Sequence, residues 1–162
     1  MYQWIVLVHI VGAFLFVLSH GVAVYMALEL PKQRDSRRIM AMLDLSSASL
    51  SGLYLGLVLL LIGGIWAGIY GGHFSRLWIW AALVLLVAIV VAMYAMATPY
   101  FKQLRLAVGQ RVMGTPKDAL EPVPLGEAEI LAIAARSPAV ALSAVGIGGL
   151  LIILWLMVLK PF

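Results

Sequence analysis

Four long runs of apolar residues, separated by polar connections, dominate the sequence. They lie at residues 3–28, 50–70, 77–98 and 139–159. A bilayer core needs about 20 mostly apolar residues for one helix, so each run is long enough to cross it once. The pattern therefore predicts an all-α protein, a single membrane domain over residues 1–162. Its four transmembrane helices should form an antiparallel bundle, because each crossing reverses the direction of the chain.

The polar connections give the expected helix ends. Pro31 ends the first helix, and Asp35 or Ser36 can cap the second, whose helical pattern runs from about residue 37 to about residue 69. The long connection, residues 99–137, predicts two short amphipathic helices on the inner interface. We expect them at 101–114 and 127–137, with a proline-rich linker at 115–126 and with Ser137 and Pro138 as the cap and first turn of the fourth helix.

Composition agrees with a membrane protein and limits the metal sites and cofactors that the chain can hold. The chain is 64% hydrophobic and 11% charged, and its mean hydropathy is +1.07. The first run has no basic leader, so we expect it to remain as a helix. The absence of cysteine excludes disulfides, thiolate metal sites, iron–sulfur clusters and covalently attached c-type haem. No phosphate loop, nucleophile triad or paired-carboxylate site is present, so the sequence gives no basis for an enzymatic activity.

The basic residues predict an orientation. The second connection holds only Arg76, whereas the first and third hold nine basic residues: Lys32, Arg34, Arg37, Arg38, Lys102, Arg105, Arg111, Lys117 and Arg136. By the positive-inside rule the first and third connections are cytoplasmic and both termini face outward. We ascribe the net charge of +4 to this topology and to anionic lipid, not to a nucleic-acid partner.

The first run contains the best candidates for chemistry, His9 and His20. They are eleven residues apart, close to three helical turns, so they lie on one helix face about 16 Å apart along the axis. Gly12 and Ala13 lie on the same face and form a groove with the histidines. Such a groove can receive a flat cofactor or a neighbouring helix. Ionisable residues inside a membrane are costly and point to function.

Several ligand arrangements remain open at this stage. One haem could use His9 with His73 of the second connection, or His20 with Met93 of the third span, and a five-coordinate haem or a chlorophyll would need one histidine. Copper could use the histidines with methionines: Met40, Met42, Met93 and Met96. Alternatively, the histidines form hydrogen bonds across the bundle as neutral polar groups. Separately, Asp44 is expected to face protein and to pair with Arg105, Lys102 or His20.

Three stretches carry a family resemblance: HIVGAFLFVLSHGVA (9–23), LLLIGGIWAGI (59–69) and WIWAALVLLVAIVVAMYAMATPYF (78–101). The chain resembles an uncharacterised family of predicted bacterial four-helix membrane proteins. That family is loosely related to the copper-resistance D type and to the four-helix protoporphyrinogen oxidase. The resemblance implies the bacterial cytoplasmic membrane, and it implies haem b or copper at His9 and His20. The oxidase also depends on a membrane-embedded lysine, and no predicted span here contains one.

Together these observations give three functional expectations. The first is a small membrane protein that binds haem or another tetrapyrrole through first-helix histidines and supports membrane electron transfer. The second is a non-catalytic accessory subunit of a larger membrane complex. The third is a copper-handling membrane protein. In each case the lipid bilayer is a partner, and other membrane subunits or a second copy of the chain are expected.

Overall fold

The computed structural model describes residues 1–112, 114–116, 118 and 120–162, and none of these residues is in a strand. Its helices are α1 (Tyr2–Glu29), α2 (Ser36–Tyr70), α3 (Leu77–Ala107), α4 (Glu127–Ala134) and α5 (Ala139–Leu159). Short 3₁₀ turns, Leu30–Lys32 and His73–Ser75, follow α1 and α2. Four helical segments, built on α1, α2, α3 and α5, are long and apolar enough to cross a membrane. This confirms the predicted multi-pass helical architecture.

The ends of α2 and α5 show one expected cap and one that is absent. Asp35 caps α2, since its carboxylate accepts a hydrogen bond of 2.9 Å from the backbone N–H of Arg37. Ser137 does not cap α5. Its hydroxyl instead donates to the carbonyl of Ala27 in α1 at 3.2 Å, and the residue before α5 is Pro138, which makes no side-chain cap. A contact between helices has therefore replaced the local cap.

The third span continues past the predicted membrane boundary without a break. The stretch at 101–114, expected as a separate amphipathic helix, continues α3 as far as Ala107, and Pro99 lies inside the helix. Transmembrane helices tolerate an interior proline where neighbouring groups satisfy the freed carbonyl. Gly109, at φ +79°, follows the end of α3, where a left-handed conformation suits glycine. Two residues of this connection that entered the predictions, Met113 and Lys117, lie outside the described residues.

The four long helices associate as two close pairs. α1 and α2 are in contact along much of their length, and α3 packs along α5. Residues pair in opposite order, since His9 meets Gly63 and Phe16 meets Gly56, so α1 and α2 are antiparallel. The two pairs meet mainly along α1 and α5, where contacts are fewer, and α2 touches α3 very little. We call the α1–α5 contact region the seam.

The end of the bundle that carries α4 is the best-packed part of the protein. Eight buried residues form one cluster there: Leu30, Ile39, Leu43, Leu104, Ala107, Val108, Ile130 and Ala134. We call this cluster the α4-end cluster. In contrast, only 11–17% of the residues in the most apolar part of each span are buried within the protein. Most of the span surface is therefore available to lipid or to other subunits.

A polar network lies beside the α4-end cluster. Asp44 was expected to pair with Arg105, Lys102 or His20, and the structure gives a bridged version of the first pairing. The Gln110 amide donates to the Asp44 carboxylate at 2.7 Å and accepts from the Arg105 guanidinium at 2.9 Å. Arg105 also donates to the Leu43 carbonyl at 2.8 Å. This network joins α2 to the segment after α3.

Candidate functional site

His9 lies between α1 and α2 and has a protein partner. Its Nδ1 is 2.7 Å from the carbonyl oxygen of Leu60 in α2. The side chain is half-buried, and Gly63 and Gly64 allow the close approach, since a β-carbon on either would lie within 3 Å of the His9 backbone or ring. A carbonyl oxygen can only accept, so Nδ1 donates in this hydrogen bond and carries the proton. His9 thus makes the cross-bundle hydrogen bond of a polar packing residue.

The surface beside Gly12 is occupied by the α2 backbone. A β-carbon on Gly12 would collide with the backbone of Leu59 and Leu60, and Phe16, one turn further, packs its own backbone against Gly56. Ala13 is half-buried. The groove predicted between the two histidines therefore receives a neighbouring helix, and a macrocycle edge beside Gly12 would require α2 to move away.

His20 has a different environment although it lies on the same face of α1. It is 9% exposed, its ring stacks on Phe16 with centroids 5.9 Å apart, and its Nε2 lies in the seam, against Gly146 of α5. A β-carbon on Gly146 would be 2.5 Å from Nε2 and 3.7 Å from the terminal methyl of Met93. The structure thus brings together His20 and Met93, one of the two ligand pairs proposed from the sequence.

The Nε2 atom of His20 is buried and has no hydrogen-bond partner among the described residues. Nearly all buried polar atoms in proteins have a partner, so an unpaired imidazole nitrogen is a group that is free to bind something else. One other buried side-chain atom shares this property, the Oγ of Ser143 on α5. Ser143 was not among the candidate residues predicted from the sequence, although it is the only hydroxyl residue in the fourth span.

His73, the other proposed partner of His9, makes its contacts elsewhere. It begins the 3₁₀ turn after α2, where its ring lies against Gly71 and 5.6 Å from the ring of Trp78. His9 contacts Leu60, Gly63 and Gly64, so the two histidines pack against different residues. Within the described residues, no group of three or more His, Cys, Asp or Glu side chains is arranged to hold a metal ion.

Comparison of the chain with protein-family models, with curated proteins and with solved structures found no match. The interpretation of the site consequently depends on its own geometry.

Proposed function

We propose that this chain is a multi-pass protein of the bacterial cytoplasmic membrane that binds a haem or related tetrapyrrole at the seam and supports membrane electron transfer. In this proposal His20 is the protein ligand, Met93 faces it, and the two termini are outside. The observation that supports it best is the buried, unpartnered Nε2 of His20 beside the side chain of Met93.

The donor atoms suit the proposed group. A neutral imidazole nitrogen and a methionine thioether are both established axial ligands of haem iron. A haem supplies one-electron redox chemistry when it is bound, and the protein's part is to hold and orient it and to keep it from water. His20 would supply the bond to the metal, while its stacking on Phe16 fixes the ring plane.

The packing of the bundle supports the seam over the predicted groove as the place for a flat group. At Gly12 the backbones of α1 and α2 are in contact, and a second group could enter only by separating the closest helix pair. The seam is held by fewer contacts between α1 and α5. Opening it would cost less packing, since dispersion contacts are individually weak and add up with their number.

The test is an absorbance spectrum, oxidised and dithionite-reduced, of the protein purified from its native membrane. We expect a Soret band that sharpens and shifts on reduction, that is lost in His20→Ala and that is altered in Met93→Leu. The controls are His9→Ala and His73→Ala, which should keep the band, because their contacts lie away from the seam. A well-folded, colourless protein would contradict the proposal, as would a band that depends on His9.

The tight approach at Gly146 favours one alternative, a single copper(I) ion at the same donors. Nε2 lies 2.5 Å from the β-carbon position of residue 146, which leaves little room for a macrocycle without helix movement. Thioether sulfur and imidazole nitrogen both suit copper(I). Copper retained after dialysis by the wild-type protein and lost in both His20→Ala and Met93→Leu would support this alternative. A metal-free, colourless protein would exclude both versions and favour the accessory-subunit function.

A further inference from the structure

Two buried polar side-chain atoms without partners belong to α1 and α5, the two helices that form the seam. They are His20 Nε2 and Ser143 Oγ, the two such side-chain atoms among the described residues. His20 Nε2 is 2.5 Å from the β-carbon position of Gly146, and Ser143 precedes Gly146 by three residues on α5. Residues three apart on a helix have β-carbons about 5–6 Å apart, so Ser143 lies one helical turn from the part of α5 that faces His20.

The chemistry of the two atoms is complementary. Nε2 can donate or accept according to the tautomer, and a hydroxyl can do both. No hydrogen bond joins them directly. A molecule that bridges them must therefore be small and able both to donate and to accept, as water does when it is held by two to four protein groups.

The surroundings of His20 Nε2 supply no counter-charge in the metal-free protein. The neighbours of His20 at this point are the ring of Phe16, the methyl group of Met93 and the backbone of Gly146, none of which carries a charge. An ion without a counter-charge is expensive to bury in such a place, whereas a neutral polar molecule with two partners is not.

We propose that His20 and Ser143 form a buried binding site for one small neutral polar ligand, which is a water molecule in the metal-free protein. The site joins α1 to α5, the two helices of the seam. It needs no cofactor, so its test is independent of the proposed function.

The experiment is nuclear magnetic resonance of metal-free protein in lipid bilayers, with ¹⁵N-labelled histidine and selective transfer of magnetisation from water. The His20 signal is assigned by its loss in His20→Gln. We expect a water cross-peak at the His20 ring that Ser143→Ala abolishes and Ser143→Thr, which keeps the hydroxyl, retains. Ser47→Ala is the matched control: the Ser47 hydroxyl already donates to the Leu43 carbonyl at 3.2 Å in α2, away from the seam.

Each of the other outcomes would refute the proposed binding site. A His20 ring without a water cross-peak in the wild-type protein would show that the seam is dry. A His20 chemical shift that responds to Ser143→Ala without any water cross-peak would indicate a direct hydroxyl–imidazole bond instead. A water cross-peak that survives Ser143→Ala would show that Ser143 does not bind the ligand.

Discussion

Gly56→Ala tests whether the α1–α2 pair is held by direct contact of the two backbones. A β-carbon at position 56 would lie 2.5 Å from the backbone nitrogen of Phe16 and 2.8 Å from its α-carbon. Because both atoms belong to the main chain, no side-chain rotation can relieve the contact. Atoms of this kind normally stay about 3.5–4.0 Å apart, so the helices must separate locally by about 1 Å.

That displacement sets the size of the effect. A gap of 0.5–1 Å forfeits roughly a quarter to a half of the dispersion energy of each facing atom pair. The bond between His9 and the Leu60 carbonyl, now 2.7 Å, would stretch at the same time. Overpacking of this sort typically costs about 1–3 kcal/mol, and we expect the free energy of unfolding to be lower by that amount than in a glycine-to-alanine variant at an uncrowded helix position.

The assay is reversible unfolding in mixed micelles, driven by dodecyl sulfate and followed by circular dichroism. Gly21→Ala is the matched control, since it makes the same chemical change on α1 at a position where no atom lies within 4 Å of the new β-carbon. Both variants gain the same helix propensity, up to about 1 kcal/mol, so their difference isolates the packing term. Equal stability of the two variants, to within about 0.5 kcal/mol, would refute the backbone contact.

Three further predictions concern single contacts and topology. His9→Ala should lower the unfolding free energy by about 0.6 kcal/mol, the average for a hydrogen bond between transmembrane helices, and no loss would mean that the Leu60 carbonyl is not its partner. Asp35→Ala should cost about 1 kcal/mol in the same assay, and Asp35→Asn much less, because asparagine also caps a helix; equal losses would argue against capping. Since the chain has no cysteine, Gly72→Cys should react with an impermeant maleimide on intact cells and Arg34→Cys only after permeabilisation, and the reverse pattern would invert the proposed orientation.

The elements that depend on local signals were predictable from the sequence. The long second helix and its Asp35 cap follow from a helical pattern and a capping residue that are adjacent in the chain. Ser137 carries an equally good local signal, but its hydroxyl bonds to Ala27, more than a hundred residues away. Which contact a hydroxyl makes is decided by the helix that happens to lie opposite, and one sequence does not specify that.

The candidate site, too, was predictable only where it depends on residues close together in the sequence. The spacing of His9 and His20 correctly indicates one helix face, and the pairing of His20 with Met93 was among the alternatives. However, a helix face does not meet the same neighbour along its whole length when helices cross. Near His9 the face meets α2, and near His20 it meets α5. Ser143 was missed because an isolated serine in an apolar span normally bonds to its own helix backbone.

The different surroundings of the two histidines indicate which one can acquire a ligand. His9 lies in the tightest helix pair, and its Nδ1 already has a carbonyl partner, so any new ligand at that atom would have to replace a hydrogen bond. His20 lies in the seam, and its Nε2 has no partner among the described protein groups that a ligand would have to replace. At the α4 end of the bundle, the association of the two helix pairs has other contacts besides the seam. There the hydrogen bonds through Gln110 join α2 to α3 and the segment after it, and the bond from Ser137 to the Ala27 carbonyl joins α1 to the start of α5. We therefore expect a ligand at His20 to displace few contacts while the α4-end cluster keeps the two pairs associated, which supports the seam as the proposed binding site.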